Sequence, residues 1–129
     1  MKKLESYSSI LAVSNLETSL AFYVDKLGFT KKSFFGTPPY VAEVQRDGTQ
    51  PISLLCMSTA TVSNNSIATL AFRCQEIDSL YEEFQFSGVV IDEEIDDKEY
   101  LMREFRIKDP DGYILYFQEP IIEEVKNAS

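Results

Sequence analysis

The feature that most constrains this chain is an internal repeat. Val13, Leu16, Glu17, Leu20 and Gly28 answer in order to Cys74, Ile77, Asp78, Tyr81 and Gly88. The offset is about sixty residues, nearly half of the 129-residue chain, and a repeat of that length points to two tandem modules. Each copy carries one helix signal. Leu16, Leu20, Tyr23, Val24 and Leu27 recur on one face and predict a helix over about Asn15 to Leu27. Ser14 and Glu17 fit a capping box at its start, and Gly28 suits the left-handed position that ends it. In the second copy Ile77, Leu80, Tyr81 and Phe84 make the stripe of a helix over about Ile77 to Ser87, closed by Gly88.

Short apolar runs surround each helix. Tyr7–Val13 precedes the first, and Thr30–Phe35, Tyr40–Gln45 and Ile52–Met57 follow it. Ala68–Cys74 precedes the second, and Val89–Glu93, Leu101–Lys108 and Tyr113–Gln118 follow it. Turn signals separate them at Gly36 to Pro39, at Asp47-Gly48 and at Asp109-Pro110-Asp111-Gly112. The order is β-α-β-β-β, a polar linker, then β-α-β-β-β. The reading is a single α+β domain: module 1 over about 4–57, a linker over about 58–66, module 2 over about 67–120 and a tail over 121–129.

Composition excludes several function classes. A nucleic-acid binder needs a basic face, and a net charge of −9 makes that reading weak, so no nucleic-acid partner is expected. No run approaches the roughly 20 apolar residues that span a bilayer, and no apolar segment follows Lys2 and Lys3, so a cytoplasmic protein is expected. Cys56 and Cys74 have no paired spacing and are expected as buried free thiols. The chain has no histidine, which removes every mechanism that needs imidazole as acid, base or ligand. Nine Phe and seven Tyr suit a core with a lined pocket.

Two stretches carry a family resemblance. One is Val13-Ser14-Asn15-Leu16-Glu17-Thr18-Ser19-Leu20-Ala21-Phe22-Tyr23, continued by Leu27-Gly28-Phe29; the other is Arg103-Glu104-Phe105 followed by Asp109-Pro110-Asp111-Gly112-Tyr113. In this order and spacing the chain resembles, over nearly its full length, the vicinal-oxygen-chelate superfamily of glyoxalases, bleomycin resistance proteins and extradiol dioxygenases. The resemblance implies two βαβββ modules that form a curved mixed sheet around a cup-shaped pocket. It also implies a homodimer. Both motifs have structural roles: the Phe-Tyr pair packs a helix on its sheet, and Asp-Pro-Asp-Gly makes a tight turn.

Metal enzymes of that superfamily hold their ion with four residues, one from the first and one from the last strand of each module. The resemblance carries those positions to Ser8, Ser53, Thr69 and Tyr116. Neutral hydroxyls are poor ligands for divalent cations, so neither a metal nor any other cofactor is expected. Glu5 and Glu119 reach the site only by long shifts in alignment.

Strand alternation then assigns the residues of the cup. Ser8, Ile10 and Ala12 come from the first strand and Ser53, Leu55 and Met57 from the fourth. Thr69, Ala71 and Arg73 come from the fifth, Glu104 and Arg106 from the seventh, and Ile114, Tyr116 and Gln118 from the last. The candidate ligand-binding set is Ser8, Ser53, Thr69, Arg73, Glu104, Arg106, Tyr116 and Gln118, an apolar-walled pocket with placed polar groups. The bland alternative pairs Arg73, Arg106 and Glu104 with one another across strands. Arg103 reads as a solvated rim residue. Phe34, Phe35 and Tyr40 read as strand-end core packing or as an aromatic lid. The acidic run from Asp92 to Glu99 reads as a solvated loop or as a docking patch for a cation.

Three functions remain open on these residues. One is a metal-free protein that binds a small molecule, resembling the branch that sequesters cationic antibiotics in acidic, aromatic grooves. Another is a metal-independent or atypical enzyme of the same fold, of lyase, isomerase or dioxygenase type. It would use Glu104 or Tyr116 as acid/base and Arg73 or Arg106 as electrophile. The last is an interaction domain with a vestigial cup.

Overall fold

Alternating apolar residues build one helix-covered sheet in each half of the chain. The computed structural model describes residues 3–59, 61–62 and 69–121, with Thr69 by its backbone alone. Its first half runs β1 (Ser9–Val13), α1 (Leu16–Leu20) continued by a π-helical turn (Ala21–Lys26), β2 (Thr30–Phe35), β3 (Val41–Gln45) and β4 (Ile52–Cys56). The second half runs β5 (Thr69–Arg73), α2 (Ile77–Phe86), β6 (Ile91–Asp97), β7 (Met102–Lys108) and β8 (Ile114–Pro120). The chain divides into two compact units, Met1–Asn65 and Ser66–Ser129. Each holds a four-stranded mixed sheet, in the orders β1-β4-β3-β2 and β5-β8-β7-β6. The first and last strands of each unit pair in parallel, Leu11 opposite Leu54 and Ala71 opposite Tyr116. Most of the expected linker and nearly all of the expected tail lie outside the described residues.

In the first unit Leu11, Val13, Ala42, Val44, Ile52 and Leu54 are buried, and the residues between them are not. That period of two sets one face of the sheet against the helix. From the helix come Phe22, Tyr23 and Leu27, all buried. Two adjacent helical residues rarely share a face. Here the chain widens after Leu20, and the Leu27 amide reaches the Phe22 carbonyl at 3.1 Å, a five-residue step. The widened turn lets Phe22 and Tyr23 both point inward, their rings edge to face at 5.3 Å, with Phe29 beyond at 5.8 Å. Period-3.6 counting predicts a plain helix and misses this.

The helix start also differs from expectation. Asn15, not Ser14, is the cap: its Oδ1 accepts from the Thr18 amide at 2.9 Å. Asn15→Ala is therefore expected to cost about 1 kcal/mol. Urea midpoints of the wild type and the variant check this. The helices end as expected, on Gly28 and Gly88, with φ of 77° and 81°.

In the second unit the core is a stack of rings. Phe117 lies parallel to Phe105 at 5.2 Å and to Phe72 at 5.0 Å. From α2, Phe84 meets Phe105 and Phe117 edge-on, and Tyr81 meets Phe105 at 5.0 Å. Ile77, Ile107 and Leu115 complete it. The α2 N-terminus follows Glu76, whose backbone is left-handed and whose side chain makes no cap. Instead Glu119 of β8 supplies the cap, its two carboxylate oxygens each 3.2 Å from the Glu76 and Ile77 amides. An anion at the positive end of a helix is stabilising. This use of Glu119 takes it away from any metal site.

Asp109 opens the turn between β7 and β8. Its Oδ1 accepts from the Asp111 and Tyr113 amides at 2.9 Å each, and its carbonyl from the Gly112 amide at 3.0 Å. The structural reading of Asp-Pro-Asp-Gly accounts for all of these bonds.

Four further expectations need correction. The acidic run is not a solvated loop. β6 extends to Asp97, because β7 opposite it is basic and cross-strand pairs draw the acids into the ladder. Arg103 is not a free rim residue: it bonds Asp78 of α2 at 3.0 Å and Asp97 at 2.9 Å. Phe34, Phe35 and Tyr40 are exposed, so they are not core. Phe35 and Tyr40 pack edge to face across their hairpin at 5.7 Å, and Lys31 Nζ sits 4.2 Å from the Phe34 ring centre. Finally, Cys56 and Cys74 are free, as expected, but only half-buried. Burial and the neighbouring Glu119 carboxylate push the Cys74 thiol up to about 11.

Candidate functional site

The face of the second sheet turned away from α2 carries the polar residues of interest. Phe105 and Ile107 point toward α2, so Glu104 and Arg106, which alternate with them, point away. On β8, Leu115 and Phe117 face the helix, and Tyr116 and Gln118 do not. The ladder sets Glu104 opposite Gln118 and Arg106 opposite Tyr116. β5 adds Arg73, opposite Gln118 and exposed, and the Thr69 backbone, opposite Ile114.

Two hydrogen-bonded groups occupy this face. In one, Glu104 is 2% exposed, and its Oε1 accepts from the Tyr100 hydroxyl and from Gln118 Nε2, each at 2.7 Å. Burial, then the Glu104 carboxylate, push the Tyr100 hydroxyl up to about 12, so it stays a neutral donor. In the other, Arg106 Nη1 donates to the Tyr116 hydroxyl at 3.2 Å, with the guanidinium 5.4 Å from that ring. Arg106 Nη2 also bonds Glu93, and Lys98 bonds the other oxygen of Glu93. Asp92 flanks the group, 3.7 Å from Arg106 Nε and 3.6 Å from Lys108 Nζ.

The alternative pairing of Arg73, Arg106 and Glu104 with one another is thus replaced. Arg106 takes its charge partners from β6, and Glu104 takes neutral donors. Tyr100, Glu93 and Lys98 belong to the cluster, and Tyr100 escaped the sequence reading. Glu93 and Lys98 lay in the acidic run read as a solvated loop or a docking patch, Glu93 also at the end of the expected strand Val89–Glu93. Tyr100 sits on the β6–β7 hairpin, where strand periodicity gives no signal. The left-handed backbone of Leu101, at φ 65°, turns the chain there.

The Lys98 hydrogen bond, ahead of the Arg106 charge, holds the Glu93 carboxyl below its usual value of 4.5. A depressed carboxylate contributes stability that is present above the unfolded pKa and is lost as pH falls through the folded one. Glu93→Gln is expected to flatten the stability curve below about pH 4.5, and also at its alkaline end, because Glu93 raises the Lys98 ammonium above its usual value of 10.5. Denaturant midpoints from about pH 2 to beyond 10.5 test both ends.

The first unit contributes less polarity. Ser53 on β4 stands opposite Ile10 and Glu43, on the face turned away from its helix. Ser8 is exposed and precedes β1, which starts at Ser9, so its expected place on the strand is corrected. Of the four carried-over metal positions, one is off its strand and one, Tyr116, has its hydroxyl engaged by Arg106. Among the described residues no three His, Cys, Asp or Glu side chains converge as a ligand set. The donors at these positions do not fit a divalent cation. No helix among the described residues is long and apolar enough to cross a membrane.

Comparison with known proteins agrees with this architecture. Solved structures match over almost the whole chain. TnmS3, an antibiotic binding protein from Streptomyces sp. CB03234, aligns at a TM-score of 0.75 with 23% identity, covering 93% of this chain and 98% of its own. TioX from Micromonospora sp. ML1 aligns at 0.75 with 16% identity, covering 90% and 98%. A superfamily member from Sphaerobacter thermophilus aligns at 0.72 with 22% identity, covering 91% and 98%. At these identities the likeness is one of fold. No curated protein matches the chain. One family model does match, that of the glyoxalase/bleomycin resistance protein/dioxygenase superfamily, over residues 5–117. With the match spanning both repeats, the chain belongs to the glyoxalase/bleomycin resistance protein/dioxygenase superfamily.

Proposed function

We propose that this chain is a cytoplasmic, homodimeric protein that binds a small molecule, of the antibiotic class, without a metal ion and without transforming it. The observation that carries the reading is the face of the second sheet. A buried, hydrogen-bonded carboxylate and an arginine–tyrosine pair lie there, away from the ring stack, and the positions that would hold a metal are hydroxyls. A few placed polar groups on an otherwise apolar scaffold are the usual make-up of a ligand site. The likeness to TnmS3, itself described as an antibiotic binding protein, supports the same reading.

A thermal-shift screen of the full chain tests it, using bleomycin-type glycopeptides and polycyclic aromatic antibiotics, each with and without chelator. A ligand at a hundred times its Kd stabilises the native state by about 2.7 kcal/mol. A rise of several degrees that chelator leaves unchanged is expected for at least one compound. A flat panel at millimolar ligand would contradict the proposal.

A further inference from the structure

We draw no further inference here: the strongest candidate, the exposed aromatic surface patch of the β2–β3 hairpin, where Phe34, Phe35 and Tyr40 stand beside Lys31 and Lys32, carries nothing because nothing in the structure shows what covers it.

Discussion

Phe105→Ala is expected to lower the unfolding free energy by about 3–5 kcal/mol, the largest effect of any single truncation considered. Phe105 is fully buried and touches three other rings: Phe117 in parallel at 5.2 Å, Tyr81 at 5.0 Å and Phe84 at 5.9 Å. Removing it opens a cavity in the middle of the stack, between a strand and the helix that covers it. Neither neighbour can collapse into that space, because Phe117 is also pinned by Phe72 on its other face. Phe105→Leu keeps most of the volume and is expected to cost roughly half as much. Chemical denaturation of both variants, with unchanged m-values, provides the check.

Asp109→Ala is expected to cost about 3 kcal/mol, close behind the core truncation although it removes no apolar surface. The carboxylate is buried and holds the amides of Asp111 and Tyr113. Alanine leaves both donors without an acceptor, and Tyr113 is itself 1% exposed, so water cannot readily replace the bond. Asp109→Asn keeps an acceptor oxygen and is expected to cost about 1 kcal/mol. A loss in Asn equal to that in Ala would show that charge, not the two bonds, matters at this turn.

These two positions show what the sequence reveals of the fold. The repeat, the ring-rich alternation of β7 and β8, and the Asp-Pro-Asp-Gly turn all follow from periods of two and 3.6 and from turn chemistry, which are local. The faces of the strands follow too: Glu104, Arg106, Tyr116 and Gln118 stand together on one side, where alternation puts them. The misses are places where a distant residue decides. Glu119 caps a helix more than forty positions upstream, and no local pattern announces it. The acidic run reads as a loop until basic β7 is set beside it. The π-helical turn at Ala21–Lys26 exists because two adjacent rings both find room in the core. In the site, alternation places side chains on a face but cannot choose their partners. Arg106 bonds Glu93 rather than Glu104, and Tyr100 reaches Glu104 from a hairpin whose course is set by the tertiary fold.

The superfamily to which the chain belongs spans metal enzymes and binding proteins on one scaffold, so function has to be argued from the site. Here the site lacks imidazole, and its best-buried acid is arranged to accept hydrogen bonds. Both features favour recognition over metal-assisted chemistry.

The most direct measurement is a titration of metal-stripped protein with the compound that stabilises it most, paired with elemental analysis of the protein as purified. The account predicts less than one-tenth of an equivalent of any divalent transition metal, and an affinity that neither chelator nor added metal changes. A stoichiometric metal ion, or binding that appears only when metal is restored, would contradict it.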